Sequence, residues 1–139
     1  MDFEFYLRNG KANKTMPNKI RAASIFKSSL QAIETAKTIP LNIGSSKTIL
    51  RELYEGLREY CEAIGYSKGY KFQDHESIFY FLRDVLKEEQ ISKKFDRYRK
   101  LRNGINYYGT KVDYQQGKEI IVKMFKLKSD ITKIYLKDI

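Results

Sequence analysis

Apolar residues recur at intervals of three and four along most of this chain. Ile20, Ala23, Phe26, Leu30, Ile33 and Ala36 form the first such run. It follows Pro17, which suits a first helical turn, and it must end before Pro40, because a residue preceding proline is pushed out of the helical region. Ile49, Leu53, Leu57, Tyr60, Cys61 and Ile64 make a second stripe, with Ser45 or Ser46 placed to cap its start and Gly65 to stop it. Glu52, Glu55, Glu59 and Glu62 alternate with that stripe at the spacing of a solvated face. The loop GYSKG, residues 65–69, then leads to Asp74, the expected N-cap of a shorter helix with Ile78, Phe81, Leu82, Val85 and Leu86 as its core face.

A fourth helix is predicted over 90–108, with Phe95, Tyr98, Leu101, Ile105 and Tyr108 as its seam and Gly109 as a left-handed C-terminal cap. A glycine inside it, Gly104, suits close approach by another helix. The fifth begins near Asp113 and carries Gly117, Ile120, Ile121, Met124, Leu127, Ile131, Ile134 and Tyr135 on one side. No segment shows convincing period-two alternation. The expectation is a single domain, residues 1–139, of the all-α class: an antiparallel bundle of about five helices. Residues 1–16 fit either a short extra helix or an extended arm, with a turn at Asn9-Gly10.

Composition adds limits to this picture. With 42% hydrophobic and 14% aromatic residues, a chain of 139 residues can bury a real core. It has no apolar run long enough to span a membrane. Its first residues, MDFEFYLRNGK, carry acids where a signal peptide carries bases, so the cytoplasm is the expected compartment. A lone Cys61 within an apolar stripe reads as a buried structural thiol. The net charge of +10 is unevenly spread. Residues 5–33 hold six bases and no acid, residues 34–89 hold eight bases and ten acids, and residues 90–139 hold thirteen bases and five acids. If the two basic ends adjoin, they form a face that attracts phosphate backbones; otherwise they are a solvated, lysine-rich surface.

The stretch RKLRNGINYYG, residues 99–109, concentrates the candidate chemistry. At 100° per residue, Arg99, Arg102, Asn103 and Asn106 share one strip beside the apolar seam. A guanidinium offers a forked donor suited to phosphate, amides orient polar ligands, and Tyr107 adds a hydroxyl and a ring on which a base can stack. The alternative is structural: such residues also tie helix ends and loops together. The only histidine, His75, suits a polar position at a helix start better than a general base or ligand. No second His or Cys lies at metal-ligand spacing, and no Gly-rich phosphate loop or activated nucleophile turn is present, so neither a metal nor a cofactor is expected.

The five-helix layout, the segment DHESIFYFL and KLRNGINYYG followed by a long helix resemble the HEPN superfamily over roughly residues 18–137. That resemblance implies a small helical bundle, usually a homodimer, often with metal-independent endoribonuclease activity and often paired with a minimal nucleotidyltransferase as toxin and antitoxin. The family motif is an arginine, a polar residue, and a histidine four to six residues after the arginine. Arg102 and Asn103 match its first two positions. Tyr107 occupies the histidine position, and an ordinary tyrosine, with a pKa of about 10, is a poor proton carrier near neutrality. The resemblance therefore implies a homodimer that binds RNA or a nucleotide through Arg99, Arg102, Asn103, Asn106 and Tyr107. A ribonuclease with Arg102 and Tyr107 as its catalytic pair, or a protein partner of a nucleotidyltransferase, stand as the alternatives.

Overall fold

The structure, a computed structural model, describes residues 1–109 and 111–135, with Tyr107 and Tyr108 described in their backbone only. Among these residues the chain forms six α-helices and one two-stranded sheet: α1 Phe3–Arg8, β1 Ala12–Lys14, α2 Lys19–Thr38, α3 Ser46–Lys68, β2 Tyr70–Phe72, α4 Glu76–Tyr80, α5 Glu89–Tyr108 and α6 Tyr114–Tyr135. Between α4 and α5, Phe81–Val85 widens into a π-helical turn. The all-α class expected from the periodicity is the one observed.

The bundle is built around α3, against which α2, α4, α5, α6 and β2 all pack. Its buried residues form one wide face, from Ile49, Leu50 and Leu53 through Tyr54, Leu57, Tyr60, Cys61 and Ile64, and leave the opposite side to Glu52, Glu55, Arg58, Glu59 and Glu62. A helix against which several elements pack needs a wide apolar face. The expected stripe was therefore correct but too narrow.

Gly65 does not end α3. The helix continues to Lys68 and stops at Gly69, whose left-handed backbone (φ +90°) a side chain would not tolerate readily. Gly65 instead makes room for the Phe72 ring, which a Cβ at that position would meet at 2.5 Å. A glycine in a helical pattern thus marked a packing contact, where the local sequence suggested a cap.

The buried face of α2 is also rotated from the expected one. Ile20 is 86% exposed and Ala23 lies in solvent, whereas Ala22, Ser29, Ile33 and Ala36 are buried. The reason lies across the contact: a Cβ on Gly56 of α3 would come within 3.2 Å of the Ser29 carbonyl oxygen. Backbones this close admit only small residues, so Ala22 and Ser29 occupy the seam and the larger Phe26 and Leu30 are only half-buried.

The two short strands pair antiparallel, Ala12 opposite Phe72 and Lys14 opposite Tyr70. Three residues are too few to display alternation, which is why they were not expected. They tie the N-terminal segment to the middle of the chain. Phe3 packs with Tyr70, Phe72 and Phe81, its backbone N–H donates to Asp84 Oδ2 (2.8 Å), and the Tyr6 hydroxyl donates to Glu76 Oε1 (2.6 Å). Residues 1–16 thus hold a short helix and a strand.

Caps follow the chain's own chemistry in three places. Asp74 Oδ1 accepts from Ser77 N, Asp113 Oδ1 from Gln116 N, and Gly109 ends α5 in the left-handed conformation (φ +63°). Ser45 stands at the start of α3, but its hydroxyl is turned to Pro40 O and Asn42 N, so it makes no side-chain cap. On α6, Met124, Leu127, Ile131 and Tyr135 are buried as expected, while Ile134 faces solvent. Among the described residues, no helix is long and apolar enough to cross a membrane.

Candidate functional site

Two elements converge on a cleft of about 400 Å³ lined by Asp74, His75, Glu76, Arg99, Arg102 and Asn103. α5 supplies the last three because residues three and four apart share a helix face. The start of α4 supplies the others. Asp74 spends one oxygen capping Ser77, and Glu76 receives the Tyr6 hydroxyl, so the N-terminal clasp reaches the wall of the cleft.

His75 does not cap α4; Asp74 does. The imidazole instead turns inward, and its Nδ1 lies 3.0 Å from the hydroxyl of Tyr54 on α3. Tyr54 is fully buried, with its ring 5.7 Å from that of Phe95 and the Arg102 guanidinium 5.8 Å from its centroid. Burial raises the Tyr54 phenol well above its ordinary range, although Arg58, Arg99 and Arg102 pull the other way. The same cause acts on His75 in the opposite sense. Burial, then the Arg58 charge, lower its pKa from the ordinary 6.5 to about 4, with Glu55 opposing. Both rings are thus neutral at neutral pH.

The three arginines are held with different firmness. Arg58, on α3, is clamped by Glu55 (2.7 Å) and Glu62 (2.7 Å), with Glu59 at 3.7 Å. Burial opposes its charge, but Glu62 and Glu55 outweigh that and its pKa rises. The pair is not symmetrical: burial raises Glu62 even against Arg58, because one guanidinium is shared among several carboxylates. Arg99 donates to Asp96 at 2.8 Å, and Asp96 also holds Lys100 at 3.1 Å. Arg102 is the loosest of the three, 3.6 Å from Glu55 Oε1 and 3.4 Å from its neighbour Asn103 Oδ1. A cation so weakly engaged, on a cleft wall, can exchange its partner for an incoming anion at little cost.

Of the residues expected to form the site, Arg99, Arg102 and Asn103 come together on the cleft. Asn106, one turn further on, is exposed and is not among the lining residues. The side chain of Tyr107 lies outside the described residues, and with it the expected catalytic pairing of Tyr107 with Arg102. Asp74 keeps its expected capping role while also lining the cleft, whereas His75 was read as a helix-start residue, and Glu55, Glu59 and Glu62 as a solvated face. They are instead cleft wall and half-buried ion cluster, because the start of α4 and the outer part of α5 both fold against this side of α3. The carboxylates of Glu55, Glu59 and Glu62 gather on Arg58, so no metal need be invoked to hold them, and no metal-binding group of three or more His, Cys, Asp or Glu occurs among the described residues. One sequence signal did bear on His75: it is the chain's only histidine, directly after a capping Asp. Tyr54 could not be told from a core aromatic.

The fold defines the chain as an all-α helical bundle. Compared with protein-family models, curated proteins and solved structures, it matches none.

Proposed function

We propose that this cleft binds RNA or a nucleotide, with Arg102 as its main phosphate contact. The observation that carries the reading is the convergence of Arg102, Arg99 and Asn103 with His75 in one cleft, with Arg102 only loosely paired. A guanidinium and an amide suit phosphate oxygens. Asp74 and Glu76 on the same wall disfavour a bare polyanion and favour a ligand that joins phosphate to hydrogen-bond donors. Ribose hydroxyls and the amino edges of bases are such donors, and a nucleotide unit presents both kinds of group. The lysines on the exposed side of α6, including Lys118 and Lys123, supply a long-range field for association.

The test is fluorescence anisotropy of a labelled single-stranded RNA at several salt concentrations. Affinity is expected to fall with salt, and Arg102→Ala to weaken binding about tenfold and flatten the salt slope by about one. Binding that ignores both salt and Arg102 refutes the reading. The ribonuclease alternative is favoured by one specific observation, an imidazole beside the motif arginine. RNA cleavage in EDTA, absent from Arg102→Ala, is its assay. A homodimer, and docking to a minimal nucleotidyltransferase, rest on the HEPN resemblance; sedimentation of the purified protein and co-purification of the pair check them.

A further inference from the structure

We propose that Tyr54 locks His75 in the tautomer that carries its proton on Nε2, so that His75 offers the cleft an N–H donor for a phosphate oxygen and no basic lone pair. The proposal rests on the reading of the cleft as a phosphate site. Its first support is Tyr54, which is fully buried and whose hydroxyl has one hydrogen-bond partner among the described residues, His75 Nδ1 at 3.0 Å. A phenol can donate one hydrogen and can also accept. If Nδ1 carried the imidazole proton, the Tyr54 O–H would be left buried with no acceptor, which is the costly arrangement. If Tyr54 donates, its buried hydroxyl is satisfied, and Nδ1 must then be bare and Nε2 protonated. Burial and the positive charges of Arg58 and Arg102 keep the ring neutral, in agreement with this geometry.

The ring nitrogen turned inward is Nδ1, so Nε2 is the one left for the cleft that His75 lines with Arg99, Arg102 and Asn103. Asn103 presents its Oδ1 to Arg102, which leaves its amide N–H groups for other partners. Alongside the carboxylates of Asp74 and Glu76, the cleft thus offers four donor groups: two guanidiniums, an amide and an imidazole N–H. A histidine in this state neither takes a proton from a ribose hydroxyl nor ligates a metal, which weighs against the ribonuclease alternative.

Because His75 is the only histidine, every imidazole signal in the uniformly ¹⁵N-labelled protein belongs to it. A two-bond ¹H–¹⁵N correlation at neutral pH is expected to show a bare Nδ1 and a protonated Nε2; the reverse pattern, or equal averaging of the two, overturns the lock. In Tyr54→Phe the preference is expected to weaken or vanish, and an unchanged pattern assigns it to something other than Tyr54. The donor role is read by titrating uridine 5′-monophosphate. The Nε2 signal is expected to move with saturation, His75→Ala to weaken binding about tenfold, and His75→Gln, which keeps an N–H at similar reach, to restore most of it. Arg102-dependent binding that leaves the His75 signals still overturns the donor role while the phosphate site stands. Absence of any binding removes the phosphate reading and the donor role together, and the spectrum of the free protein still decides the lock.

Discussion

Placing His75 in a half-buried, cation-lined pocket should make the protein lose stability in mild acid. The folded state holds the imidazole neutral, with its pKa lowered from 6.5 to about 4 by burial and then by Arg58. Between those values the unfolded chain binds a proton that the folded chain refuses, so unfolding becomes easier as pH falls. Each decade of shift is worth ~1.4 kcal/mol, which gives a ceiling of about 3 kcal/mol. The ring is partly exposed, and solvent screening brings the expected loss to about 2 kcal/mol by pH 4. The contribution is fully present above pH 6.5 and is lost as pH drops toward 4.

Urea denaturation of the wild type and of His75→Asn at half-unit steps from pH 7 to pH 4 isolates the effect. Asparagine places a carbonyl oxygen near the position of Nδ1, so the buried Tyr54 hydroxyl keeps an acceptor, but it does not titrate. Other groups, Asp84 and Asp130 among them, contribute equally to both curves and cancel. The difference should narrow or reverse in favour of the variant as pH falls. A difference that stays flat from pH 7 to pH 4, or a wild type that gains on the variant in acid, would refute the claim that burial keeps His75 neutral.

Other consequences follow from the packing. Gly56→Ala sets a Cβ at 2.6 Å from the Ile33 side chain and 3.2 Å from the Ser29 carbonyl oxygen, forcing α2 and α3 apart. We expect a net destabilisation of about 1–3 kcal/mol by chemical denaturation, despite the better helix propensity of alanine. Cys61 is fully buried, and burial pushes its thiol up to about 12. A disulfide reagent at pH 8 should therefore react at the rate of local or global opening and become fast only in denaturant; fast labelling of the native protein would show that α3 is not packed as described. Tyr6→Phe removes the hydroxyl that donates to Glu76 at 2.6 Å and should cost about 1 kcal/mol, with amide hydrogen exchange rising over residues 1–14 and at the start of α4.

The basic strip was legible as far as its own helix goes. Arg99, Arg102 and Asn103 share a face because of helical spacing alone, and that face is the cleft wall. What faces them was not legible. His75 is 27 positions before Arg102, and Tyr54 a further 21 before His75, so no local pattern relates them. A tyrosine beside an apolar stripe reads as core whether or not its hydroxyl reaches a histidine. The acids of α3 looked solvated because alternation cannot show that another helix will lie over them.

Periodicity, proline and glycine positions and capping residues determined the all-α class, the approximate helices and their ends at Thr38 and Gly109, because these depend on interactions within a few residues. Tertiary structure alone decided which face of α2 is inside, that Gly65 admits the Phe72 ring instead of ending α3, and that the only histidine leaves the helix start for a buried phenol. Each of these depends on how close two distant backbones come and on which polar group then loses its water. Those quantities arise only when α2, α4 and α5 are laid against α3.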